Sequence, residues 1–202
     1  MKPTYIFVID VSLASIHNGY LTSIIESIKA GINDITENEE ETKVAIITYD
    51  TSLHFYNLNP KLSQPQMYSV NDNVIYLPLP IDNLLVPLDR SRSIIISTLD
   101  MIQNSFNSNT NKDGNKMIEA LDACYLLGKD RGGKILFFNA SQSIREHPRV
   151  KNTKTIPQDE LIYTATDEKF FSSKGINFTN EHLSIDLYVA AEQYINLITL
   201  LS

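Results

Sequence analysis

The sequence predicts a three-layer α/β domain built on a doubly wound, mostly parallel sheet with an antiparallel edge strand. Three observations predict it. Thr4 to Ile9 and Lys43 to Tyr49 are short, unbroken apolar runs, the pattern of strands covered on both faces. Between them, from Ser15 to Ile35, apolar residues recur at Ile16, Tyr20, Ile24, Ile25, Ile28 and Ile32, a helical period. Ser52 to Leu58 then alternates after a polar turn at Asp50-Thr51, which points to an antiparallel edge strand.

Asp10 ends the first strand, and the acidic loop Glu37 to Glu41 connects the first helix to the second strand. The right-handed crossover rule makes those two strands parallel neighbours. After the alternating strand, Pro60, Pro65, Pro78, Pro80 and Pro87 keep the chain extended and irregular until Ser91. Helical periodicity returns at Ile94 to Phe106 and Met117 to Leu127, separated by a polar, Asn-rich turn from Asn107 to Asn115. Gly128 ends the second of these helices, and Gly132-Gly133 precede a buried strand over Lys134 to Asn139. Ala140 to Gln158 reads as a charged loop, Thr166 to Lys174 as a helix and Leu183 to Val189 as a further strand. No internal repeat is present.

With 202 residues, 43% of them hydrophobic, the chain can bury one sizeable core, and a single domain over 1–202 is expected. The net charge of -7 argues against a general grip on nucleic acid by phosphate neutralisation. One cysteine, Cys124, rules out an internal disulfide framework and suits a reducing, cytosolic setting. A strand-like run from Thr4 leaves no room for a signal peptide, and no window approaches the roughly 20 apolar residues that cross a bilayer. Ile195 to Leu201 is an apolar helical segment with no capping Gly or Pro, so the expectation is a fragment of a longer protein with the sheet incomplete at its C-terminus.

The von Willebrand A-like form of the doubly wound fold fits this element order best. There a metal site normally forms after the first strand from Asp-x-Ser-x-Ser, completed by a Thr and an Asp from later loops, and its oxygen ligands suit Mg²⁺. Here the loop reads Asp10-Val11-Ser12-Leu13-Ala14, so Asp10 and Ser12 remain while Ala14 supplies no oxygen. The loop after the Lys134 strand reads Asn139-Ala140-Ser141, without the carboxylate. This is a degenerate site: no metal is expected, and Asp10 and Ser12 are read as capping the next helix or holding the loop.

Catalytic signatures are absent. There is no G-x-S-x-G elbow, phosphate loop, dinucleotide fingerprint or H-E-x-x-H pair. His17, His54, His147 and His182 lie in separate elements without ligand spacing, and His54 reads as a packed or edge histidine. Cys124 sits beside Leu121, Tyr125 and Leu127 on a core helix face, where a thiol behaves as a small hydrophobe. The clearest charge feature is Arg145, His147, Arg149, Lys151 and Lys154. Such a run is ordinarily a solvated loop; its functional reading is recognition of carboxylates, which Arg clamps bidentately.

Several segments resemble one family: Tyr5-Ile6-Phe7-Val8-Ile9-Asp10-Val11-Ser12, Tyr49-Asp50-Thr51-Ser52, His54-Phe55-Tyr56-Asn57-Leu58, Ser63-Gln64-Pro65-Gln66-Met67, Leu77-Pro78-Leu79-Pro80, Leu84-Leu85-Val86, Gly132-Gly133-Lys134-Ile135, Ile185-Asp186-Leu187-Tyr188 and Glu192-Gln193-Tyr194. Together they resemble the trunk domain of the cargo-adaptor subunit of the COPII vesicle coat, the Sec-twenty-four family, along essentially the whole chain. The resemblance implies a non-catalytic module of vesicle transport from the endoplasmic reticulum to the Golgi. It would pair with the GTPase-activating inner-coat subunit and help display sorting signals of cargo and SNARE proteins. It also implies peripheral contact with the endoplasmic reticulum membrane in the assembled coat and a cytoplasmic location. Basic residues after the Gly-Gly-Lys strand receive acidic signals in the family, and Arg149 and Lys151, with Arg145 nearby, are the positions here that best match. The family's zinc-finger cysteines belong to an upstream segment, so no cofactor is expected in this stretch.

Two further readings stand beside it. A metal-dependent von Willebrand A adhesion module, unrelated to coats, would need the Asp10 loop to bind Mg²⁺. An enzyme of the doubly wound class lacks any phosphate loop or triad in the sequence. Within the first reading, the GTPase-activating subunit shares the trunk architecture; the Ser63 to Met67 segment and the lack of a catalytic arginine signature favour the adaptor.

Overall fold

The computed structural model describes residues 3–35, 42–72, 74–110, 116–141 and 165–190, with no side-chain detail for 165–171. Strand β1 is Thr4–Asp10 and β2 is Lys43–Tyr49. They pair in parallel from Thr4↔Lys43 to Asp10↔Tyr49. Strand β6, Gly133–Asn139, lies parallel on the other side of β1, and β7, Leu183–Val189, lies parallel beyond β6. On the opposite flank β3, Leu53–Asn57, and β4, Gln66–Val70, run antiparallel, giving the order β4-β3-β2-β1-β6-β7. Two-residue β5, Val86–Pro87, pairs antiparallel with the start of β2.

Alternation along the central strands sorts the core into two layers. Phe7 and Ile9 of β1 and Val44 and Ile46 of β2 face the layer formed with α2, Tyr20–Asp34, and α4, Leu88–Phe106. Ile6 and Val8, with Ala45 and Ile47, face α5, Met117–Gly128, and Phe178 of α6, Ala165–Asn180. The apolar stripe of α2 is Leu21, Ile24, Ile25, Ile28 and Ile32, spaced three and four apart. Arg92 of α4 donates to the carbonyls of Ile32 and Ile35, the latter at 2.9 Å, satisfying end groups of α2 and placing a cation at its negative pole. Lys29 pairs with Asp100 between α2 and α4, and Lys174 with Asp122 between α6 and α5.

Five expectations need correction. The alternating segment is not the sheet edge: β4 pairs with it from Leu53↔Val70 to Asn57↔Gln66, and all five residues of β3 are buried. Proline spacing hid the irregular segment's content, for Pro65 directly precedes β4, Pro80 precedes the one-turn helix α3, Ile81–Leu84, and Pro87 caps α4. Pro87 is extended at φ -61 and ψ 132 and stands just outside the helix, so α4 begins at Leu88, six residues before Ile94. The first helix is two: α1, Leu13–His17, stops at Asn18, and Gly19 at φ 71 turns the chain in the left-handed region into α2. Finally, α6 runs from Ala165 to Asn180 rather than from Thr166 to Lys174. Gly128 ends α5 as expected, and its missing Cβ makes room for Leu183.

Among the described residues no helix is long and apolar enough to cross a membrane. The Glu37 to Glu41 loop and the Ile195 to Leu201 segment lie outside the described residues.

Candidate functional site at the carboxyl ends of the strands

Open α/β sheets bind ligands beyond the carboxyl ends of their strands, where neighbouring connections diverge. Asp10 ends β1 at this point, Tyr49 and Asp50 close β2, and Asn139, Ala140 and Ser141 close β6. Asp10 is fully buried, and its carboxylate is filled by donors. Oδ1 accepts the Ser12 N–H at 2.8 Å; Oδ2 accepts the N–H groups of Ala140 and Ser141 at 3.0 and 2.9 Å and the Ser141 hydroxyl at 2.6 Å. Hydrogen bonds to an ionised acceptor are the stronger kind, and here they join two loops 130 residues apart in sequence.

Asp50 repeats the device one strand over. Its Oδ1 accepts the Ser52 N–H at 2.8 Å, as Asp10 accepts that of Ser12, and its Oδ2 accepts Asn109 Nδ2 at 2.7 Å. Asn109 Nδ2 also donates to the Val11 carbonyl at 3.0 Å, while Val11 N–H donates to the Tyr49 carbonyl at 3.0 Å. Both are Asp-x-Ser turns, in which a short carboxylate closes on the backbone two residues ahead. The fully buried Tyr49 donates its hydroxyl to the Phe138 carbonyl at 3.2 Å and accepts Asn139 Nδ2 at 3.0 Å. Burial first, then the Asp10 charge, push its pKa well above the usual phenol value, so it stays a neutral donor.

A shallow cavity of about 280 Å³ opens beside Asp50, lined by Ser52, His54, Ser105, Phe106, Ser108 and Asn109. His54 packs on Phe106 with ring centroids 5.1 Å apart, and its Nδ1 lies 3.2 Å from Thr48 Oγ1. Its Nε2 is 4.0 Å from Asp50 Oδ1, beyond hydrogen-bonding reach. Burial holds the imidazole below its ordinary pKa, against the opposing pull of Asp50 and of the Thr48 backbone. His54 is thus a packed histidine, consistent with its place on a buried strand.

The arrangement does not suit a cation at the Asp10 loop. Both carboxylate oxygens face N–H and O–H donors, which repel a dication, and among the described residues no three His, Cys, Asp or Glu side chains converge to hold a metal ion. Ser12 stands at the start of α1, but its hydroxyl makes no capping bond and is buried without a partner among the described residues. Among these side chains Asp10, together with Asn109 through the Val11 carbonyl, holds the loop. Arg145, Arg149 and Lys151 lie outside the described residues. Sequence reasoning missed Asp50 as a brace; the available signal was the second Asp-x-Ser turn at the end of the neighbouring strand.

Fold and crevice together define a von Willebrand A-like α/β domain whose switch point is closed by its own side chains. The chain matches the Sec23/Sec24 trunk domain over residues 1–202 and belongs to that family. It is 32% identical to "Protein transport protein SEC24 A" of Arabidopsis thaliana, over 99% of this chain and 20% of that protein. It is also 32% identical to human "Protein transport protein Sec24B", over 97% of this chain and 16% of that protein. The human COPII-coat protein Sec24c superposes with a TM-score of 0.79 at 29% identity, over 98% of this chain and 28% of that one. The TFIIH p34 N-terminal domain shares the fold alone, with a TM-score of 0.57 at 13% identity, covering 99% of this chain and 86% of that one. The chain thus spans about a fifth of the length of the SEC24 relatives it matches.

Proposed function

We propose that this chain is the trunk of a COPII inner-coat cargo adaptor, acting in transport from the endoplasmic reticulum to the Golgi. The observation that carries the reading is full-length membership of the trunk family, with relatives named as SEC24 transport proteins at 32% identity. In this role the domain is a non-catalytic interaction module on the cytosolic face of the endoplasmic reticulum. It pairs with the GTPase-activating coat subunit, and its basic segment with Arg145, Arg149 and Lys151 receives acidic sorting signals of cargo and SNARE proteins. Zinc belongs to a segment upstream, and this stretch works without a cofactor. The net charge of -7 assigns most membrane contact to other parts of the coat, since anionic lipid attracts basic surfaces.

The test is size-exclusion chromatography with light scattering, using the full-length protein and the purified GTPase-activating subunit. A one-to-one complex is the expected outcome. Separate elution at micromolar concentration, with both proteins folded, would remove the reading.

A further inference from the structure

Two buried polar groups face each other across the cavity beside Asp50 without touching. His54 lies on β3 and is 5% exposed, and its ring is fixed from two sides: it packs on Phe106 of α4, and Nδ1 lies 3.2 Å from Thr48 Oγ1. The other ring nitrogen, Nε2, has no hydrogen-bond partner among the described residues; the acceptor facing it is Asp50 Oδ1, 4.0 Å away. Both residues line the cavity.

The hydroxyls behind the ring assign its proton. Tyr56 is fully buried, and its hydroxyl meets Thr48 Oγ1 at 2.7 Å. If the phenol donates to Thr48 and Thr48 donates to His54 Nδ1, every hydrogen in the chain is bonded, whereas the reverse direction strands the phenol hydrogen in the core. Nδ1 is therefore the acceptor, and Nε2 carries the ring hydrogen toward Asp50 and the cavity. Burial holds the pKa of His54 below its ordinary value, so at pH 7 the ring is neutral and offers one donor without a charge. Asp50 supplies the complement: its Oδ1 accepts the Ser52 N–H, and a carboxylate oxygen can accept more than one bond.

We propose that this cavity is a binding site for a neutral side chain that donates and accepts at once, the hydroxyl of serine or threonine or the carboxamide of asparagine or glutamine, on a partner polypeptide. The 4.0 Å gap between His54 Nε2 and Asp50 Oδ1 sets this chemistry. One hydroxyl oxygen at ordinary bond lengths of about 2.8 Å reaches both groups, and a primary amide reaches them with its oxygen and its nitrogen. A carboxylate or phosphate can accept from Nε2 but meets the Asp50 charge; an ammonium can donate to Asp50 but meets the Nε2 hydrogen. The volume of about 280 Å³ is several times the roughly 30 Å³ share of one water, so a side chain fits. Phe106 walls its carbon atoms, and Ser52, Ser105 and Ser108 offer hydroxyls to the backbone that carries it. Phosphorylation of a serine on the partner would turn the contact into repulsion. The site is independent of the acidic-signal reading and uses the opposite selectivity.

The test reads His54 itself. In the full-length protein, deuterium exchange at the imidazole C2 position, followed by mass spectrometry of the peptide holding His54, reports occupancy beside the ring, with the exposed His17 and His182 as internal references. The probes are the N-acetyl amides of serine, asparagine, alanine, aspartate and phosphoserine, titrated through the millimolar range that ligands of about ten heavy atoms require. The serine and asparagine amides should slow His54 exchange severalfold and leave His17 and His182 unchanged. The other three should do nothing. Ser105→Tyr and Ser108→Tyr, each at an exposed rim position, should fill the cavity mouth and abolish the response.

No response to any probe means that water alone bridges the gap, and the proposal falls. An equal response to the alanine amide reduces the effect to crowding of the cavity, and a response led by the aspartate or phosphoserine amide makes it an anion site; either result overturns the donor-and-acceptor assignment. So does a serine response that survives both rim variants.

Discussion

Replacing Gly133 by alanine should be the most disruptive one-methyl change in the sheet. Gly133 opens β6 at φ 141, a conformation that residues with a side chain rarely adopt, and donates its N–H to the His182 carbonyl at 3.1 Å. An added Cβ would sit 2.8 Å from both the carbonyl oxygen and the Cβ of Thr4. Thr4 cannot move aside, because it belongs to β1, which is paired on both sides and is itself 5% exposed at this position. Backbone strain of about 1–3 kcal/mol adds to an overpacking cost of about 1–3 kcal/mol, so the expected loss is roughly 3 kcal/mol. For a chain of this size that corresponds to a fall in melting temperature of about 6–12 °C. Thermal unfolding followed by circular dichroism is sufficient to read it. Gly31→Ala is the internal control: the site lies inside α2 with nothing within 4 Å of the new methyl, so it should stabilise by about 0.5–1 kcal/mol. If Gly133→Ala melts with the parent, the strained β6 entry is not a constraint and the reasoning fails.

Two further outcomes follow from buried titratable groups. Because burial holds the folded-state pKa of His54 below its ordinary value of 6.5, the unfolded chain takes up that proton first as pH falls. The His54 contribution is therefore fully present above about pH 6.5 and is lost below it; urea midpoints should fall less steeply with acid in His54→Gln than in the parent, and parallel slopes would refute this. Cys124 is fully buried and its thiol is pushed well up by burial, with Asp122 adding to the shift. It should react with a disulfide reagent only as fast as the protein opens, so native-state labelling at the rate of an exposed thiol would contradict the packing.

What the sequence revealed and what it concealed divide along physical lines. Strands β2 and β7 match their predicted limits for different reasons: β2 is an apolar run buried along its length and stopped by Asp50, whereas β7 alternates, with Leu183, Ile185, Leu187 and Val189 on the core side and Ser184 and Asp186 on the other. The edge misassignment arose at His54, Tyr56 and Asn57, whose polarity imitates a solvent face although each is buried and internally bonded. Thr48, one residue before the end of β2, answers both His54 and Tyr56, and such a cross-strand partner is invisible until the strands are paired. The break at Gly19 was hidden because Ile16 and Tyr20 keep the helical spacing across it. At the crevice, Asp10 was legible as a residue of consequence from the Asp-x-Ser motif. Its tie to Ser141 was not, since no local pattern specifies a bond between residues so far apart in sequence.

The outer strand β4 bears on how the domain stays apart from its own copies. A sheet edge is a template onto which another strand can add, and long apolar edges seed aggregation. Here that edge is five residues long, begins beside Pro65, which has no N–H to offer, and exposes Gln66, Met67 and Ser69. Within β4 the exposed large hydrophobic is Met67, a flexible side chain between Gln66 and the part-buried Tyr68. Such a margin is poorly suited to extending the sheet from molecule to molecule, so the domain's separateness from its own copies is built into the outer strand's composition.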